Sequence, residues 1–164
     1  MWQHERFSDA IGSRGRYKRS QSCRKLCIFI HKYESPELHN LEQRKEELKK
    51  LGLPKQITKD LGETRRRVEL PDYEYVKYIE FCSILDVTEL EVNGVRLINL
   101  VYELDNYSDI CMFVWNPSQK AIGSYDLEHE NLTVIHDATW KKVWKDPGYY
   151  IDRILEGEYD TEEV

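Results

Sequence analysis

Cys23, Cys27 and His31 stand four residues apart, so a helix would align two thiols and an imidazole on one face. Thiolate and imidazole at that reach are the donors zinc prefers, but a closed zinc site takes four ligands and no fourth is evident. Buried or idle thiols account for the same residues, and the expectation is no bound metal and no cofactor. A second grouping sets His129 and His136 around an expected hairpin turn, beside Glu128, Glu130 and Asp137. Imidazole next to carboxylate is what a general base requires. No serine or cysteine stands in a nucleophile motif, however, and hairpin ends often carry polar groups simply because water reaches them. The chain is therefore expected to have no catalytic residues, with a small hydrolase using His129 or His136 as an alternative.

Charge offers two further chemistries. Residues 1–32 hold eight Lys/Arg against two Asp/Glu, whereas residues 70–164 hold seven against twenty, within a net charge of −6. The two ends of the chain therefore steer partners of opposite sign. Arg14, Arg16, Lys18, Arg19, Arg24 and Lys25 could neutralise phosphates, and Tyr17 could stack on a base, so a nucleic-acid-associated protein is one reading. The acidic part leads to the other. "ELDNYSD" (103–109) places Glu103, Asp105 and Asp109 around Tyr107, and Glu128 and Glu130 lie in a second turn. Carboxylates with Tyr107 and Trp115 as aromatic anchors suit a surface that caps a basic protein partner.

The elements that must position these groups are legible by period. At 164 residues the chain is long enough for one domain with its own core. Residues 1–22 mix Arg, Ser and Gly and read as a basic, loose or weakly helical arm, 23–157 as one domain and 158–164 as an acidic, solvated tail. "KLCIFIHKY" (25–33), whose "LCIFI" (26–30) is the one early apolar run, suits a short strand or helical turn. From Ser35 and Pro36, Leu38, Leu41, Leu48 and Leu51 recur near helical spacing until Gly52 and Pro54. "LPDYEYVKYIEFC" (70–82) sets Tyr75, Tyr78, Ile79 and Cys82 on one helical face, with a strand as the alternative.

Beyond residue 84 the period becomes two. "TELEV", "VRLINLVYEL", "DICMFVW", "AIGSYDL" and "LTVIH" read as strands, the first two joined by Asn93-Gly94, a strong hairpin signal. Asp137 is placed to cap a helix bearing Trp140, Val143 and Trp144. Asp146-Pro147-Gly148 either breaks that helix or starts a second with Tyr150, Ile151, Ile154 and Leu155 on its apolar stripe, and Tyr149 falls off it. The fold class expected is α+β: an antiparallel meander of four to six strands, a helical N-terminal part and an aromatic C-terminal helix. No apolar run has the length of a membrane span or of a signal-peptide core, so a cytoplasmic protein with reduced thiols is expected.

Three stretches carry a family likeness. "EELKKLGLP" (46–54) is similar to the acidic helix of the SUKH superfamily, "LPDYEYVKYI" (70–79) to its Leu-Pro element, and "IGSYDLEHENL" (122–132) with "WKKVWKD" to its closing hairpin and aromatic final helix. The resemblance spans about residues 40–157. It implies a bacterial immunity protein of a polymorphic toxin system, one that neutralises a toxin domain by direct occlusion. The acidic surface, Glu103, Asp105, Tyr107, Asp109, Trp115, Glu128 and Glu130, would then meet a basic toxin.

Overall fold

The computed structural model describes residues 41–163. The expectations for the basic arm, for Arg14 to Lys25 and for Cys23, Cys27 and His31 lie outside them. The described residues open with helices α1 (Leu41–Lys50) and α2 (Lys55–Leu61). Strands β1 (Arg66–Glu69), β2 (Tyr78–Phe81), β3 (Thr88–Val92), β4 (Val95–Asn99) and β5 (Val101–Leu104) follow. Then come β6 (Ile110–Asn116), β7 (Ala121–Asp126) and β8 (Asn131–Val134), helices α3 (Trp140–Lys145) and α4 (Pro147–Leu155), and β9 (Thr161–Glu163). This is an α+β fold with two antiparallel sheets, ordered β1-β2-β5 and β3-β4-β6-β7-β8-β9.

Local chemistry sets the turns. Gly52, at φ 89°, ends α1: its N–H bonds to the Lys49 carbonyl and that of Leu53 to Leu48, the double bond of a left-handed helix stop. Asn93 and Gly94 both take positive φ, and the turn closes on the Val92–Val95 pair. The expected strand 95–104 bends at Leu100. There the Leu100 N–H reaches the Phe113 carbonyl and its own carbonyl accepts the Cys82 N–H, so one continuous segment feeds β4 to the large sheet and β5 to the small one.

The main core lies where the helices meet both sheets. Leu48, Ile57, Val143 and Ile151 of the four helices join Ile79, Phe81, Ile98 and Phe113 of the strands, all buried. Phe81 sits 5.0 Å from the Trp144 ring and 6.0 Å, edge-on, from that of Trp140. The Trp140 N–H donates to Asp60 of α2 at 2.8 Å. The closing tryptophans are thus core, as their helical spacing implies, while Tyr149 stays about half exposed.

Four expectations change. Residues 70–82 are a turn followed by β2, not a helix: from Tyr78 onward exposure alternates, and β2 finds β1 on one side and β5 on the other. The four to six strands expected become nine among the described residues, with Arg66–Glu69 supplying β1. The cap of α3 is Thr139, whose hydroxyl accepts the Lys142 N–H, and not Asp137. The acidic tail is tied down as well: Tyr159 is buried and β9 pairs with β8. At Asp146 the second of the two alternatives holds, for its carboxylate accepts the Tyr149 N–H and Pro147 begins α4.

Candidate functional site

The acidic segments expected to bind a partner are loops at the ends of β5, β6 and β7, and the register of β6 against β7 brings two of them together. Ile110 pairs with Asp126, and the Asp109 carbonyl accepts the Leu127 N–H at 2.8 Å. The β5–β6 loop, turning through Asn106 at φ 64°, therefore lies beside the β7–β8 turn, which turns through Glu130 at φ 52°. Asp126 organises that second turn. One carboxylate oxygen accepts the N–H of Glu128 (2.8 Å) and of His129 (3.1 Å), and the other meets His129 Nδ1 at 2.8 Å. This is the side-chain turn that aspartate forms with its own following backbone.

The electrostatics follow from that geometry. The hydrogen bond His129 donates to Asp126, the charge of Asp126, and then the charges of Glu128 and Asp109 raise the His129 pKa above 6.5. Partial burial opposes the charge on Asp126, but the His129 hydrogen bond and the two backbone N–H groups outweigh it, and its carboxyl is held below the usual value. Asp109 and Glu128 thus act on one imidazole, and Glu128 and Glu130 are exposed beside it. Segments 103–110 and 126–131 hold six carboxylates and no Lys or Arg.

The other expected residues have different duties. Asp105 accepts the Lys77 N–H at 2.8 Å and holds the Leu-Pro segment against the β5–β6 loop. Tyr107 is half-buried on the main core. The Trp115 indole N–H donates to the Gly52 carbonyl at 2.9 Å, fastening the end of α1 to β6. Glu103 lies on the small sheet, where it accepts the Tyr78 hydroxyl at 2.9 Å. His136 stands edge-on to the Tyr159 ring at 5.7 Å, so the two histidines have separate partners. Among the described residues no group of three or more His, Cys, Asp or Glu is placed to hold a metal ion.

Two surfaces escaped the sequence analysis. On the outer face of the small sheet Arg65 stacks over Tyr102 at 3.4 Å and Arg67 over Tyr78 at 3.7 Å. Arg65 also makes a two-pronged ion pair with Asp86, at 2.9 and 3.1 Å. The period-two spacing of Arg65, Arg67 and Glu69 was the signal for an outward strand face. The second surface is a crowd of carboxylates around Tyr75. Desolvation, then Glu158, Asp152 and Glu74 push the Glu156 carboxyl up, and the Glu74 N–H meets Asp152 at 3.4 Å. Glu74 and Asp152 come from opposite ends of the fold, so no spacing could have revealed it.

No protein-family model matches this chain, and neither the curated proteins nor the solved structures contain a match.

Proposed function

We propose that this domain is a non-enzymatic inhibitor that binds a basic protein partner along the joined acidic loops, and that the partner is a toxin domain which it neutralises in the cytoplasm by occlusion. The observation that carries the reading is the bond between Asp109 and Leu127, which makes one carboxylate-lined margin of two segments separate in sequence. A margin of single sign, fixed by backbone hydrogen bonds, holds its charges in place before a partner arrives and speeds encounter with a basic surface. The SUKH likeness of residues 46–54, 70–79 and 122–132 favours immunity over other kinds of inhibition. Glu103 and Asp105 extend the margin toward the small sheet, and Tyr107 and Trp115, both partly exposed, are its candidate aromatic anchors.

The test is co-expression with the toxin domain of any polymorphic toxin whose reading frame adjoins this chain's, followed by binding kinetics on the purified pair. Growth should be restored, and reversing Asp109, Glu128 and Glu130 to Lys should slow association by roughly ten-fold or more at low salt. The difference should shrink as salt rises. Absence of protection sinks the immunity reading, and unchanged association at low salt sinks the charge mechanism.

A further inference from the structure

Tyr102 owes its position to a slip in strand pairing. Glu80 pairs with Glu103 and Phe81 with Val101, so one step along β2 answers two along β5, and Tyr102 is the extra residue. In a regular strand Tyr102 and Glu103 would point to opposite faces. The bulge turns both outward, while Val101 and Leu104 on either side of them are buried in the main core. Tyr102 is 51 % exposed and Leu85, beside Asp86, 40 %, two of the three large apolar side chains exposed among the described residues. The rings of this face are held in place, for Arg65 lies over Tyr102 and Arg67 over Tyr78. A partner therefore meets side chains with little rotamer freedom left to lose. Tyrosine and arginine are also the residues that most often carry the binding energy of protein interfaces.

The charges decide which partner fits. Both guanidinium groups are already engaged, Arg65 with Asp86 and Arg67 with Glu69. Glu80 and Glu103 stand directly opposite each other, and neither is in an ion pair among the described residues. The Tyr78 hydroxyl donates to Glu103 but brings no charge to answer it. Like charges in a direct cross-strand pair repel, and with Cβ atoms about 5 Å apart one cation can reach both carboxylates. We propose that the outer face of the small sheet docks a protein partner through a lysine or arginine side chain. Its charged end enters between Glu80 and Glu103, and its aliphatic stem lies along Tyr102. Glu69, Glu80, Asp86 and Glu103 outnumber Arg65 and Arg67, so the face repels a phosphate backbone despite its tyrosines. It shares Glu103 with the acidic margin but not Asp109, Glu128 or Glu130, so the two sites can fail separately.

The experiment titrates the isotope-labelled full-length chain with a blocked Gly-Arg-Gly-Arg-Gly peptide and follows the backbone amide shifts by NMR. A peptide with glutamate in place of arginine and single-stranded oligothymidylate serve as the contrasting probes. The arginine peptide should move the amides of residues 78–81 and 101–104, and the other two should not. Glu80→Gln/Glu103→Gln should weaken its binding by about five-fold or more. Tyr102→Ala should weaken it by about three-fold or more. That change removes no charge, so general attraction to an acidic protein would not register it. Shifts confined to residues 105–110 and 126–131 overturn the proposal and leave the acidic margin standing. Unchanged affinity in Tyr102→Ala overturns it, as do shifts of the small sheet by the oligonucleotide. Shifts that follow protein concentration without peptide assign the face to a second copy and overturn it equally.

Discussion

Replacing Arg44 by methionine should destabilise the domain by about 3 kcal/mol, more than an ordinary surface change on a helix. Arg44 is 2 % exposed. Its Nε donates to the Ile84 carbonyl at 2.9 Å, one Nη donates to the Val87 carbonyl, and the other meets Glu47 at 3.1 Å. One guanidinium thus serves two carbonyls of the segment between β2 and β3 and holds it against α1. A hydrogen bond from a charged donor is worth about 1.5–3 kcal/mol, and a buried carbonyl left without a partner adds its desolvation. Relief of the buried cation offsets part of that sum, which brings the net to about 3 kcal/mol. Lysine keeps the charge but cannot fork between two carbonyls, so Arg44→Lys should recover only part of the loss. Urea unfolding followed by tryptophan fluorescence reads the effect. With m near 1–3 kcal/mol/M, the midpoint should fall by roughly 1–3 M. A methionine variant within about 0.5 kcal/mol of the parent, or more stable than it, would refute the reasoning and make the buried cation a net burden.

Two further outcomes follow from single contacts. A Cβ on Gly148 would lie 2.4 Å from the Tyr73 ring, so Gly148→Ala should cost about 1–3 kcal/mol in thermal unfolding. The Gly148→Ala/Tyr73→Ala pair should lose less than the two single changes added together, and strict additivity would deny the clash. His129 should titrate above 6.5 by NMR, and Asp126→Asn should bring it back toward that value. Because the folded pKa is raised, the stability that the charged pair lends the turn is present below 6.5 and is lost as pH rises through the folded value. Asp126, with its pKa lowered from 3.8, sets the acid limit: its contribution disappears as pH falls through its own folded value. A midpoint for His129 at or below 6.5 would rule the contact out.

What the sequence revealed divides by range. The turn at Asn93-Gly94, the stop at Gly52 and the start at Asp146-Pro147 each rest on the φ preference or side-chain reach of one or two residues, and each stands in the structure. The strands missed are those whose pairing is decided far away. β2 reads as helical by spacing, but Glu80 is fixed between Arg67 and Glu103, residues well separated from it in the chain. β9 is three residues of acidic tail, made a strand by the free edge of β8.

The same division explains the candidate site. Each acidic loop was visible alone, because carboxylates in turns need no partner to be recognised. That the charges of Asp109 and Glu128 reach one imidazole is a consequence of the Ile110–Asp126 register, which is fixed in turn by the apolar faces of β6 and β7. Arg44 shows how composition misleads when read by type instead of position. Leu41, Leu48 and Leu51 mark the buried stripe of α1, and Arg44 occupies the place in that stripe where a leucine would be expected. A cation inside an apolar stripe is a cue that backbone carbonyls wait opposite it, and here the segment from Ser83 to Val87 provides them. The large sheet extends the logic to a whole layer: Leu97 and Val114 fall in one cluster and their neighbours Ile98 and Phe113 in the other, so its strands are apolar on both faces.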